Sequence, residues 1–214
     1  MDAGSLAPVC VLAEHRRVSP LPSESTHRVL ADGFVRTRAQ EGALVLGAAL
    51  CTALFAQVAI AVPGSPVPIT GQTLAVVLTA AALGPGRGLA GQVAYLLLGA
   101  VGLPFFAKGA SGWGALVGPT GGFLVAFLPA AFLVGLAARQ GHDRRWWTAG
   151  PLFLAGQLLI LAIGVSWLRM KTGLDSATAL QKGFVPFIPG GLIKAVIAGL
   201  VMPLAWKFVR SRAP

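Results

Sequence analysis

Acidic residues are scarce: of 214 residues seven are Asp or Glu, and five of those seven precede residue 43. Beyond Glu41 only Asp143 and Asp175 remain, both in expected loops. Intramembrane hydrolases and proton-coupled carriers rely on an ionisable group inside the bundle, and here no acid is available for that work. No G-x-x-x-x-G-K-[ST] run occurs, which excludes nucleotide hydrolysis of the P-loop kind. His15, His27 and His142 are scattered, so no metal site is expected. Two cysteines, Cys10 and Cys51, stand far apart and form no disulfide framework. Charged residues amount to 11%, against about 25% in an average soluble domain. The chain has no catalytic apparatus and calls for no cofactor. Anything it moves against a gradient must be driven by a partner.

What it has in abundance is apolar sequence: 55% hydrophobic residues, a mean hydropathy of +0.75, 28 glycines and 15 prolines. Small residues let membrane helices approach closely. The net charge of +10 sits in short clusters beside apolar runs, which is a topology signal and not the basic face of a nucleic-acid binder. Residues 1–42, with five acids and five arginines, read as a mobile polar tail. No apolar h-region follows Arg16-Arg17, so no secretory signal is expected. A basic tail is expected at 210–214.

Between the tails, 43–209 reads as one membrane domain. Ala43–Val62, Pro119–Ala138, Ala149–Leu168 and Gly190–Val209 are each long enough to cross a hydrocarbon core of about 30 Å. The stretch from Gln72 to Leu103 is cut by Gly84-Pro85-Gly86-Arg87-Gly88, which predicts two shorter helices, Gln72–Leu83 and Leu89–Leu103. A re-entrant hairpin would bury Arg87 at mid-membrane at a cost of about 2.5 kcal/mol or more. Two full spans avoid that cost, giving an all-α bundle of six. One set of ends carries Arg36, Arg38, Arg87, Arg139, Arg144, Arg145, Lys207, Arg210 and Arg212; the other carries Lys108, Arg169, Lys171 and Lys182. The excess places both termini in the cytoplasm. Trp146 and Trp147 fit an interfacial belt.

Two loops on the opposite side are structured in their sequence. Pro63-Gly-Ser-Pro-Val-Pro-Ile-Thr-Gly-Gln-Thr73 holds three prolines, and Pro104–Gly122 holds six glycines. Backbone can approach a ligand closely at such a density of glycine. Lys194, on the fifth residue of the last expected span, has no acid on any helix to pair with. It either snorkels to the interface or awaits an anionic group on a ligand. Gln72, Thr73, Gln92, Tyr95 and Gln157 add polar groups to apolar helices, as interhelical hydrogen bonds or ligand contacts.

Several ordered stretches resemble the BioY family of biotin-binding S components of energy-coupling factor transporters. These are Pro63-Gly-Ser-Pro-Val-Pro-Ile-Thr-x-Gln-Thr-Leu-Ala-Val, Leu83-Gly-Pro-x-Arg-Gly, Tyr95-Leu-Leu-Leu-Gly-Ala-Val-Gly-Leu-Pro104, Gly118-Pro-Thr-Gly-Gly122, Gly164-x-x-Trp-Leu168 and Pro186-Phe-Ile-Pro-Gly190-x-x-x-Lys194. The resemblance implies a six-helix subunit in a prokaryotic cell membrane that captures biotin from outside. Transport would use a transmembrane coupling subunit and two cytoplasmic ATPases. It implies substrate contacts from Thr70, Gln72, Thr73, Gln92, Tyr95, Gly118, Thr120, Gly121, Gln157 and Lys194. Ala49 and Ala53, in an Ala-x-x-x-Ala pattern, are expected to dock on the coupling subunit. The family usually has an acid three residues before the lysine, where this chain has Gly191. Another small vitamin-like ligand, or a non-transporting scaffold, stays open at this point.

Overall fold

The structure is a computed structural model that describes residues 28–212. A 3₁₀ turn at Leu30–Gly33 leads into helix α1, Arg38–Gln57. Strands β1 (Ala59–Ile60) and β2 (Ile69–Thr70) pair antiparallel and close the first loop. Helix α2 runs Gln72–Val101; α3 (Trp113–Val117) and α4 (Gly121–Val125) are short; α5 is Phe127–Arg139. Then come α6 (Trp146–Thr172), α7 (Ser176–Gly183) and α8 (Phe187–Arg212). Among the described residues five helical stretches are long and apolar enough to cross a membrane: α1, α2, α4 with α5, α6, and α8 to Val209.

Helix α2 is not one rod. Gly84 has φ 83 and ψ 179, a conformation open to glycine and outside the helical region. The chain reverses there, because residues far apart in sequence meet across the two arms. Gln72 donates to Tyr95, 23 positions on, where a straight helix would hold them about 34 Å apart. Gln92 Nε2 reaches Thr79 Oγ1 at 3.4 Å, and a Cβ on Gly88 would lie 2.9 Å from Ala80 Cα. The expected pair of shorter helices is therefore present as a tight hairpin. Its tip packs on α5, where a Cβ on Gly135 would meet the Gly84–Pro85 backbone at 2.6 Å. The second arm meets α1 at Gly91, where a Cβ would sit 2.7 Å from Ala48 Cβ. Glycine is what lets these backbones touch.

The expected tail boundary moves. Residues 28–42 are part of the bundle, while 1–27 lie outside the described residues. Val29 and Ala31 are buried, Val29 packing over Gly84. Asp32 and Glu41 grip Arg87 at 2.7 and 2.9 Å, and Arg144 Nη2 donates to Arg28 O at 2.9 Å. Composition made this segment look unattached because its anchors are ion pairs to a residue 46 and 55 positions away. Helix α1 likewise starts at Arg38, not Ala43: Thr37 and Gln40 form a capping box there. It ends at Gln57, five residues before Val62, where the strand pair takes over. Helix α8 starts at Phe187 and runs on through Arg212, absorbing part of the expected basic tail. Pro189 is tolerated because the first turn has no carbonyl partner to lose. Helix α7, N-capped by Asp175 through Thr178 N at 3.0 Å, was not anticipated.

Outward faces carry Leu46, Leu50 and Leu54 on α1, Val93, Leu97 and Val101 on α2, and Leu192, Val196, Leu200 and Leu204 on α8, all exposed. A water-soluble monomer does not tolerate an apolar surface this large. This is a multi-pass membrane protein whose outer faces meet lipid. Trp146 and Trp147, 66% and 54% exposed beside Arg145, stand at one rim.

Candidate functional site

A cavity of about 280 Å³ opens where the β1–β2 loop, the Pro104–Gly122 loop and helices α2, α5, α6 and α8 converge. Its apolar wall includes Phe106, Phe123, Phe127, Ile160, Leu161 and Phe187, with Phe123 and Phe187 stacked at 6.1 Å. The volume lies near the low end for small-molecule sites, and a few polar groups set against apolar walls are typical of them.

Thr70, Gln72, Thr73, Thr120, Gln157 and Lys194 all line the cavity. They come from four separate stretches of chain. Thr70 and Thr73 are placed by the strand pair and the turn into α2, with Gly71 N bonded to Val58 O at 3.0 Å. Gly71 itself has no room for a side chain, since a Cβ there would lie 2.8 Å from Phe55 O. Lys194 Nζ donates to Thr70 O and to Thr73 Oγ1, the latter at 3.1 Å. Both acceptors are neutral, and among the described residues no carboxylate lines the cavity. Gly191, one turn away on α8, also faces it, with no atom within 4 Å of where a Cβ would stand. Gln157 is 3% exposed, and its Nε2 has no hydrogen-bond partner among the described residues. A buried donor without an acceptor costs about 1–3 kcal/mol. It sits on the wall of a cavity, where a ligand oxygen would relieve it.

Four expected contacts stand elsewhere. Gln92 is fully buried between α1 and the hairpin arms, bonded to Thr52 Oγ1 at 3.2 Å. Tyr95 lies behind the cavity and holds it in shape: it accepts from Gln72 and donates to Phe105 O at 3.2 Å. Gly118 O accepts from Trp167 Nε1 at 2.9 Å. Gly121 is pressed against Leu116 O, where a Cβ would come within 1.7 Å. The Gly118–Gly122 run is thus clamped by α6, and Thr120 alone of it reaches the cavity. Polar residues in apolar helices serve either purpose, and sequence does not separate them.

Ala49 and Ala53 also point inward. They are 0% and 7% exposed and belong to the bundle core, which corrects their expected role as a docking face. The exposed positions of α1 include the small residues Ala39, Gly42, Ala43 and Gly47, followed by Leu50 and Leu54. Sequence reasoning missed Lys108, Pro66, Pro68 and the aromatic wall. Phenylalanines in apolar runs give no sign of which face a cavity.

The match to the BioY family model spans residues 26–211. The chain belongs to the BioY family. It is 42% identical to a biotin transporter BioY of Thermotoga maritima over 142 residues, covering 66% of this chain and 82% of that protein. It is 41% identical to biotin transporter BioY2 of Lactococcus lactis over 157 residues, covering 72% and 82%. Its fold matches the crystal structure of the S-component for biotin from an ECF-type ABC transporter with a TM-score of 0.70 at 28% identity, covering 81% of this chain and 95% of that one. BioY proteins are transporter components, and this chain is one of them.

Proposed function

We propose that this BioY protein is the biotin-binding membrane subunit of an energy-coupling factor uptake system in a prokaryotic cell membrane. The observation that carries the reading is the cavity itself. In a chain of this family, seven polar residues from five separated segments meet an aromatic wall. Among them are a lysine without an acid and an amide donor without an acceptor. Biotin offers a thioether bicycle for the wall, a ureido carbonyl for the donor and a carboxylate for the lysine.

The α2 hairpin supports six membrane passes. Its tip reaches the N-terminal end of α1, where Arg87 meets Glu41, and its open end reaches the C-terminal end of α1, beside the strand pair. Between those ends the hairpin lies along α1 from Glu41 to Phe55, about 21 Å. The two acids on Arg87 weaken the cost argument from a lone arginine. They strengthen the positional one, since the capped polar start of α1 is a surface feature. With the arginine-rich ends inside, both termini face the cytoplasm. A coupling subunit and two ATPases would supply the energy that this chain has no residues to harness. The small outward face of α1 at Ala39, Ala43 and Gly47 is open to close helix contact with such a subunit.

The direct test is isothermal titration of purified protein in lipid nanodiscs with biotin, and with thiamine and riboflavin as controls. Saturable binding of biotin alone is expected. Binding of a control and not biotin would overturn the ligand, and binding of none would overturn the reading.

A further inference from the structure

Lys108 is the one non-glycine residue with positive φ among the described residues, at φ 59 and ψ 31. A left-handed backbone crowds Cβ against the following carbonyl, so such positions ordinarily fall to glycine. The next residue, Gly109 at φ 72, shows that the same turn uses glycine where a side chain is not required. Strain of this kind persists where surrounding structure enforces it, and it concentrates at functional sites.

The enforcement is visible. Phe106 N bonds Ala110 O at 3.0 Å, Gly109 N bonds Phe106 O at 3.1 Å, and Ala110 N bonds Ala107 O at 3.2 Å. Gln57 Nε2 holds Pro104 O at 3.2 Å, Tyr95 holds Phe105 O, and Gly112 N holds Gly99 O at 2.8 Å. The turn is fastened on both sides of the lysine. Its side chain lines the cavity, is solvent-exposed, and has no hydrogen bond or ion pair among the described residues. The cavity thus holds two ammonium groups, one mostly buried and bonded at Lys194, one exposed at Lys108. A monoanionic ligand needs one cation to neutralise it once inside. Exposed charge contributes little to equilibrium affinity but raises the rate of encounter; the buried charge governs release.

We propose that Lys108 is a specificity-determining capture residue, which draws carboxylate-bearing ligands to the mouth of the cavity from where they pass to Lys194. The proposal rests on the reading of the ligand as an anion of the biotin kind. It goes beyond that reading by assigning the lysines separate kinetic roles.

Stopped-flow tryptophan fluorescence on the full chain in nanodiscs tests it, using biotin and biotinamide with the wild type, Lys108→Gln and Lys108→Gly. At 0.01 M salt, where the screening length is about 30 Å, both variants should associate with biotin several-fold more slowly than wild type. At 1 M, with screening at about 3 Å, the rates should converge. Release rates should stay within about twofold, the pattern of a rim charge, and biotinamide should bind all three proteins alike. Lys108→Gly relieves the backbone, so its Tm should equal or exceed that of wild type, which separates a slower encounter from misfolding. Faster release at unchanged association, equal effects on acid and amide, or a lower Tm for the glycine variant would overturn the capture role alone. Failure of the wild type to bind either compound would overturn the biotin reading, and this proposal with it.

Discussion

Removing the ammonium of Lys194 should separate the acid from its amide. In the free protein Nζ has two neutral acceptors, Thr70 O and Thr73 Oγ1, and no carboxylate among the described residues lining the cavity. A mostly buried cation in that setting is poorly compensated. A ligand carboxylate would complete it with a charge-assisted hydrogen bond of about 1.5–3 kcal/mol. At 1.4 kcal/mol per decade, Lys194→Ala should raise the Kd for biotin by about one to two decades. The amide, which brings no charge, should lose much less. Titration calorimetry with both ligands gives the two ratios directly. Gly191→Asp supplies the converse experiment. The position has open space and lies three residues before the lysine on one helical face. An aspartate there gives Lys194 an internal counter-ion and should shift preference from the acid toward the amide. Equal losses for acid and amide in Lys194→Ala would refute the reasoning and place the lysine against the ureido ring.

Gln157→Leu removes a buried donor that has no acceptor among the described residues; the free protein should gain thermal stability while biotin affinity falls about tenfold, the worth of one such bond. Asp143, fully buried between α5 and α6, has its pKa raised chiefly by burial, with the hydrogen bond from Trp206 and the charges of Arg144 and His142 opposing. The folded state therefore holds that proton more tightly than the unfolded chain, and stability is lost as pH rises above about 3.9 and through the raised value. Asp143→Asn should abolish that slope and melt higher at neutral pH, as a series of Tm measurements across pH would show. In a chain lacking Cys10 and Cys51, cysteines at the exposed positions Gly86 and His142 should react with impermeant maleimide only from the cytoplasm, and one at Ser111 only from outside. Gly86 reacting from outside would overturn the six-pass topology. Gly47→Phe should spare biotin binding and impair ATPase-dependent uptake, whereas Ala49→Phe, in the core, should impair folding itself.

Much of the architecture was legible because lipid enforces simple rules. A long apolar run must be a helix, and Gly-Pro-Gly in the middle of one must break it. The hairpin at Gly84 and the spans after it followed from that. The segment around Asp32 was not legible, because its order comes from ion pairs to Arg87, and partners 46 and 55 positions apart leave no local pattern. Thr70, Gln72, Thr73, Thr120, Gln157 and Lys194 were found because polarity in an apolar context is conspicuous. The same cue swept in Gln92 and Tyr95, whose hydrogen bonds stay between helices. Ala49 and Ala53 failed for a related reason: the spacing of small residues marks close packing without saying whether the neighbour is the same chain or another. Lys108 was passed over because nothing in sequence announces a left-handed backbone.

The hairpin bears on how the chain enters the membrane at all. Its first arm, residues 72 to 83, is 12 residues long, short of the roughly 17 needed for a helix to span by itself. Such a segment gains too little from lipid to stay there alone while the Gln72 amide lacks its acceptor and Thr79, bonded to Ala75 O within its own arm, lacks the donor that reaches it. Those partners, Tyr95 and Gln92, lie on the second arm. On the six-pass reading the two arms are expected to enter the membrane as a pair. The polar rungs between them fix the register as they go in. On the six-pass reading Arg87 need never cross, since Asp32 and Glu41 hold it where α1 begins.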